Sequence, residues 1–440
     1  MKLYLRIISV LAIIILAIGC SKNENKEIVE KKLSDDELMT FVQEQTFKYF
    51  WDVADQSSGM IPERNTTPDI LTIGGSGFGV MTIPVAIERK FITREQGLDR
   101  LLKITDFLSK ADRYHGVWPH WLLLSGKTKP FSQKDDGGDL VETAFMIQGL
   151  LTVQQYFNND TEKEIQLREV IQQLWEDVEW DWYRQNDQNV LYWHWSENYG
   201  WDMNMQIVGF NEGLIVYVLA ASSPTHSIPA EVYHNGWTNS GHFINGNEYE
   251  GVKLPLGYPW GGPLFFSHYS FLGLNPNGLK DQYADYFEQN KNHSLINYKY
   301  CVRNPKQYKG YSEKSWGLTA SDDPLVGYLA HEPYPEENDN GTIAPTAALS
   351  AIVYTPEESL KAMRYFYEGL KGSLLGKYGF KDAYNLQENW FATDYLAIDQ
   401  GPIIIMIENY RTGLLWNNFM KNTDVHKGLE KLGFSYNTGK

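Results

Sequence analysis

Cysteine is nearly absent. Cys20 and Cys301 are the only two in 440 residues, so no disulfide framework can hold the fold and the hydrophobic core must do so. Positive charge is also short. Against 55 Asp and Glu there are 39 Lys and Arg, a formal net charge of -16, which excludes the basic footprint that a nucleic acid or another polyanion requires. Motifs for several chemistries are missing. GGSGFG at 74–79 has glycines but no following Lys-Ser/Thr for a phosphate loop, no GxSxG serine, and neither the preceding strand nor the later acid of a dinucleotide site. Its glycines read as close packing at a helix start. There is no HExxH, the histidines are scattered and Cys301 stands alone, so neither a metal nor another cofactor is expected.

Aromatic residues are plentiful, with 14 Trp and 28 Tyr. Flat amphipathic rings suit cores and also neutral, hydroxyl-rich ligands. The chain opens MKLYLRIISVLAIIILAIGC, a basic start followed by an apolar run too short to span a bilayer, which reads as a secretion signal. A cysteine after a small residue resembles a bacterial lipobox, with Ala17 where leucine is more usual. Residues 1–20 are therefore expected to be a lipoprotein signal with Cys20 lipidated. A plain cleaved signal with an incidental cysteine is the alternative. The polar stretch 21–34 would be a flexible tether, and the protein would sit in the cell envelope, anchored to the outer membrane by lipid alone.

From Leu33 onward there is no long linker and no low-complexity segment, so one domain over 35–440 is expected, with no partner chain required. Helical segments recur in pairs, the first rich in small and apolar residues, the second charged and amphipathic. SGFGVMTIPVAIERK precedes TREQGLDRLLKITDFLSK, where Thr93 reads as an N-cap and Leu98, Leu101, Leu102, Thr105 and Leu108 as one face. DLVETAFMIQGLLTVQQYF, NMQIVGFNEGLIVYVLAAS, GPLFFSHYSFLGL and TIAPTAALSAIVY each open a further pair, and the long segment 390–420 closes the series. A ring of pairs, greasy helices inside and charged ones outside, would account for the alternation. Only VWPHWL and VLYWHWS read as short ribbons or loops at a rim.

Four acidic places stand out. Glu212 interrupts the run GFNEGLIVYVLA. Placed in an inner helix over 206–220, flanked by Gly209 and Gly213, it would be desolvated and its pKa raised, as a general acid requires. The alternative is a buried glutamate satisfied by a neighbour. In KDDGGDLVETAF, capping accounts for Asp135, Asp136 and Asp139 but less readily for Glu142, already inside the helical run. Asp399, before Gln400, Gly401 and Pro402, is either a helix cap or an acid at a helix mouth. SDDP at 321–324 is a turn motif that brings Asp322 and Asp323. Two carboxyls converging on a neutral ligand are what glycosidic hydrolysis needs. The rings of Trp121, Trp193, Trp195, Trp260 and Trp316, with His120, His194, Asp135 and Asp322, are the candidates for contacting sugar.

VGFNEGL (208–214), WGLTASDDP (316–324), NGTIAPTAALSAIVYTPEES (340–359) and DYLAIDQGPI (394–403) resemble, in this order, the signature segments of glycoamylase-like domain proteins. The nearest resemblance is to the bacterial endo-β-1,2-glucanases of glycoside hydrolase family 144, over nearly all the chain after about residue 35. It implies an all-α (α/α)6 toroid of six inner and six outer helices, with short rim strands and a cleft at one end. It also implies cleavage of β-1,2-glucan to short sophoro-oligosaccharides by an anomer-inverting route without a metal. Glu212 resembles the family's general acid and Asp399 its candidate base, while Asp139 and Glu142 match acids on the donor side. The base stays open among these three. A polysaccharide lyase of the same fold would need cations for a uronate, and a sugar-capturing lipoprotein would have no use for a desolvated acid.

Overall fold

The computed structural model describes residues 32–334 and 336–437. The signal, Cys20 and residues 21–31 of the expected tether lie outside the described residues. The main helices are α1 (Asp35–Lys48), α2 (Ile73–Glu88), α3 (Arg94–Lys110), α4 (Leu140–Tyr156), α5 (Glu162–Glu176) and α6 (Leu214–Ser222). They continue with α7 (Tyr286–Arg303), α8 (Pro345–Ser350), α9 (Pro356–Glu368), α10 (Ala397–Thr412), α11 (Leu414–Phe419) and α12 (Thr423–Lys431). The described strands are short ribbons, as in Ile70–Thr72 and Gly138–Asp139. None of the described helices is long and apolar enough to cross a membrane.

Two kinds of helix make two layers. From Ile73 to Ala86 every residue of α2 is buried, as are Leu140 to Gln154 of α4 and all of α6. A helix that is apolar all round must be surrounded by protein. By contrast, α3 buries one stripe, Leu98, Leu101, Ile104, Thr105 and Leu108, and α9 another, Ala362, Met363 and Phe366. Thr93 caps α3 through a capping box with Gln96, as the sequence implies. Within the buried layer α2 packs on α4 and α10, α4 on α6, and α10 on α8, while α3 and α5 pair outside.

Glycine sets the closest of these crossings. A Cβ on Gly77 would lie 2.6 Å from the Met146 Cα and from the Phe145 carbonyl oxygen, so the α2 and α4 backbones touch where no side chain intervenes. The same contact aligns the helix starts. The N–H of Gly74 in the first turn of α2 donates to Glu142 in the first turn of α4. Thr346, in the first turn of α8, donates its hydroxyl to the carbonyl of Asp399 in the first turn of α10. The N-terminal turns of the buried helices thus gather at one end.

Ribbons decorate that end. Trp121–Leu123 pairs antiparallel with Ile70–Thr72 and with Thr128–Lys129, and Gly138–Asp139 pairs with His194–Trp195, matching the two rim segments expected from sequence. Ala320–Asp323 forms a hairpin with Gly327–Ala330 that sets Asp322 opposite Tyr328.

Three segments depart from the expected helices. The helix expected over 206–220 begins only at Leu214, so Glu212 lies in the turn before it. Gly209 takes φ +85° and the Asn211 side chain accepts from the Gly213 N–H at 2.8 Å, which ends any helix there. PAEVYHNGW is one α-turn running into a wide turn, and GPLFFSHYSFLGL is a chain of 3-10 turns behind Pro263. Gly77→Ala should lower stability by about 1–3 kcal/mol through overpacking, measured by urea denaturation, with the α-helical circular dichroism retained.

Candidate active site

The turn before α6 fixes one end of the site. The Gly209 N–H donates to the Trp237 carbonyl at 2.8 Å, the Trp237 indole donates to Asn211, and the Glu212 carbonyl accepts from the Ser270 hydroxyl. The backbone of Glu212 is therefore held, and its side chain is 9% exposed. Burial, together with the charges of Asp139 and Glu142, outweighs a hydrogen bond from its own backbone and pushes this carboxyl up to about 7. Among the described residues no cationic side chain acts on it.

Across from it stand the acids of α4. Asp139 is the N-cap: its Oδ1 accepts from the N–H groups of Val141 at 3.0 Å and Glu142 at 2.9 Å, and its Oδ2 lies 2.9 Å from His120 Nδ1. Glu142 accepts from Gly74 N–H at 2.7 Å. Burial raises its carboxyl to about 7, with His120 opposing and Asp139 reinforcing. Burial pulls the His120 imidazole down, but Glu142 and Asp139 override it and lift the ring to about 9, so His120 is a cation between two acids at neutral pH. Beside it His194 Nε2 lies 3.1 Å from Asp135 Oδ1 and 3.2 Å from the Gly137 nitrogen. That one nitrogen either donates to the carboxylate or accepts from the amide, according to its tautomer. Trp121 stands edge-on to His120 at 5.6 Å and its indole nitrogen is buried without a partner among the described residues.

A second acidic group surrounds Asp399. This residue is not the helix cap; Leu396 holds that position, and Asp399 is turned into the first turn of α10 with 1% exposure. Its Oδ1 is 3.4 Å from the Tyr269 hydroxyl. Asp382 faces it and accepts from the Asp322 N–H at 2.7 Å. Arg64 neutralises the outer members, reaching Asp322 at 3.2 Å, Asp394 at 3.1 Å and Glu63 at 2.9 Å. Burial, with Asp382 and Asp322 adding, drives the Asp399 carboxyl well up, and burial with Asp322 raises Asp382 to about 7. Tyr269 links the two groups: it bonds Asp399 and feels the charges of Asp399 and Glu212 alike.

The structure gathers Glu212, Asp139, Glu142, Asp135, His120, His194 and Trp121 on one side and Asp399 with Asp322 on the other. Other expected sugar contacts are engaged in packing. Trp316 is fully buried and donates to the Glu358 carbonyl at 3.3 Å, which makes it core beneath α9. Trp260 packs on Tyr249 at 5.2 Å and Tyr300 at 5.6 Å, and Trp195 packs on His115 at 5.0 Å and Trp182 at 6.0 Å. Strand alternation explains Trp195, since its neighbour His194 takes the site face of the ribbon. Trp193 joins the frame through its backbone, which bonds Leu140 and Met205. Asp323 is a turn residue, accepting from the N–H groups of Leu325 and Val326. Sequence reasoning missed Asp382, Arg64, Asp394, Tyr269 and the ring of Phe131, which lies 4.2 Å from His120. Asp394 sits in the DYLAIDQGPI segment and was open to notice; Asp382, in a short polar stretch, gave no local signal.

Residues 204–423 match the Glycoamylase family model, described as "Putative glucoamylase". An exo β-1,2-glucooligosaccharide sophorohydrolase (non-reducing end) of Parabacteroides distasonis is 47% identical over 91% of this chain, which spans 58% of that relative's length. The crystal structure of an endo-β-1,2-glucanase from Chitinophaga pinensis, in complex with sophorotriose and glucose, is 57% identical and superimposes with a TM-score of 0.90, covering 92% of this chain and 99% of that one. A Talaromyces funiculosus endo-β-1,2-glucanase shares the fold at 10% identity and a TM-score of 0.62, over 90% of this chain and 92% of that one.

The burial of Glu212 predicts a signed effect on stability. Its carboxyl is held near 7 against an ordinary 4.5, so between these values the unfolded chain releases a proton that the folded chain keeps, and stability falls as pH rises. Glu212→Gln removes that penalty. Urea denaturation should find the variant equal to wild type near pH 4 and more stable by about 1–3 kcal/mol near pH 8.

Proposed function

Because the chain belongs to the glycoamylase-like family of β-1,2-glucanases, we propose that it hydrolyses β-1,2-linked glucan to short sophoro-oligosaccharides with inversion at the anomeric carbon. The observation that carries this reading is Glu212, a dry carboxyl near pKa 7 without a cationic mate at the gathered helix ends. About half of such a group is protonated at neutral pH, so it can give its proton to the bridging oxygen as the glycosidic bond breaks. Asp399 is the base in this reading, taking a proton from the attacking water. Asp139 is already committed to capping α4 and to His120, which leaves it less free for that work.

The groups around Glu142 suit a neutral sugar. His120, Asp135 and the unpartnered Trp121 indole offer donors and an acceptor for hydroxyls, and Phe131 offers a face. Arg64 is occupied by three carboxylates, so it is poorly placed to hold the uronate of a lyase substrate. We read the buried helices and their amphipathic partners as the inner and outer rings of an (α/α)6 toroid within one domain over 35–440, acting as a monomer. Cys20 carries the lipid of an outer-membrane anchor in this reading. Cys20→Ala should then release the protein from the detergent phase of Triton X-114 extracts.

Incubation with a panel of β-linked glucans followed by chromatography tests the activity. Sophoro-oligosaccharides are expected from the 1,2-linked polymer alone, and products from another linkage only would refute the assignment. Glu212→Gln should lower kcat by about 10² to 10⁴. Wild-type turnover should decline as pH rises through about 7, because the acid loses its proton there.

A further inference from the structure

Asp382 has no place in the acid–base pair proposed above, yet its surroundings tie it to Asp399. The two side chains lie within hydrogen-bond reach of each other. Both are almost wholly buried, Asp382 at 2% exposure and Asp399 at 1%. Each has one oxygen used elsewhere: Asp382 Oδ2 accepts from the Asp322 N–H, and Asp399 Oδ1 faces the Tyr269 hydroxyl. The remaining two, Asp382 Oδ1 and Asp399 Oδ2, are buried with no donor among the described residues. A buried carboxylate oxygen without a donor is costly, and two carboxylates within hydrogen-bond reach add like-charge repulsion in a dry site.

Among the described residues no cation bonds either of them, and Arg64 acts on Asp382 through its charge alone. Arg64 directs Nη1 to Asp322 and Asp394, and Nε and Nη2 to Glu63. The other ionisable groups facing the pair are Asp322 on the hairpin, Glu63 and Asp394 around Arg64, and the phenols of Tyr269, Tyr328 and Tyr49. Acids and phenols supply no positive charge.

We propose that Asp382 and Asp399 hold one proton between them, Asp399 Oδ2 to Asp382 Oδ1, and that Asp382 is thereby a positioning residue for the base of the hydrolysis proposed above. One shared proton gives both orphaned oxygens a partner and leaves a single negative charge on the pair. When the shared proton rests on Asp382, Asp399 is the carboxylate and its Oδ1 receives the proton of the attacking water. The water oxygen bonds the anomeric carbon while the glycosidic oxygen leaves with the proton of Glu212. The pair ends neutral and Glu212 ends ionised, and one proton passing through solvent from the pair to Glu212 resets both. Asp382 touches neither sugar nor water; it occupies Oδ2 so that Oδ1 is the oxygen that reacts.

This inference rests on the hydrolase reading for its kinetic part but not for its spectroscopic part. Infrared spectroscopy of the full protein at about pH 8.5, well above the value near 7 at which Glu212 and Glu142 ionise, should show the carbonyl stretch of a protonated carboxylic acid. The band should persist in Glu212→Gln and disappear in Asp382→Asn and in Asp399→Asn. Its absence from wild type, or its survival in Asp382→Asn, overturns the proposal, and the wild-type spectrum decides even if a variant does not fold. On β-1,2-glucan, Asp382→Asn should lose about 10- to 100-fold in kcat with KM changed less than about threefold; unchanged kcat overturns the positioning role. If wild type shows the band but hydrolyses no glucan, the shared proton stands and the assigned reaction falls. If it hydrolyses glucan without the band, the shared proton falls and the reaction stands.

Discussion

Removing water from a carboxylate costs several kcal/mol unless donors or cations replace the hydration, and this protein removes water from a whole set of them at one end of its helical core. Glu212, Glu142, Asp382 and Asp399 all respond by holding protons far above the ordinary carboxylate range. Every other feature of the site is arranged around that constraint. The gathered N-termini of the buried helices supply N–H groups and partial positive charge to some acids, as Gly74 does for Glu142 and the start of α4 does for Asp139. His120 and Arg64 supply full charges to others. Glu212 has only the hydrogen bond of its own backbone against its burial and the charges of Asp139 and Glu142, and for that reason it holds its proton to about 7.

The frame that permits this is built of small residues. Glycine in α2 lets its backbone lie against α4, and Gly401 of α10 packs under the Phe78 side chain in the same manner. Close crossings hold the helix starts in register, and the acids enter the site from those starts or from the turns and ribbons just before them. The geometry is therefore a property of the buried layer, while the amphipathic outer helices keep water from reaching it from behind. A ribbon and loops carry the rings Trp121, Phe131 and Tyr258, the last close enough to Glu212 for its phenol to be pushed up by burial and by that charge.

The two acid clusters differ in how they are balanced, and that difference bears on the division of labour. Around Glu142 an imidazolium sits between acids, and the Trp121 indole nitrogen has no partner among the described residues. Around Asp399 the guanidinium of Arg64 bonds the outer acids, and the inner pair shares a proton in the arrangement proposed above. Tyr269 lies between the clusters and couples their charges without neutralising either.

The alternation of greasy and charged helical segments was legible because a helix face is written in local spacing: a residue three or four positions on shares its neighbour's face wherever the helix ends up. An isolated acid in an apolar run, as at Glu212, was legible for the same reason, although Asn211 and Gly209 make its backbone a turn where the pattern read as helix. Partnership is not local. Asp382 meets Asp399 across a loop and a ribbon, Arg64 reaches Asp322 from the other end of the chain, and identical-looking tryptophans divide between the site at Trp121 and the core at Trp316. Sequence alone marked the apolar runs that had to be withdrawn from water, and with them Glu212 and Glu142. Only the tertiary structure decided which of them face each other there, because desolvation and pairing act between atoms brought together in space whatever their separation along the chain.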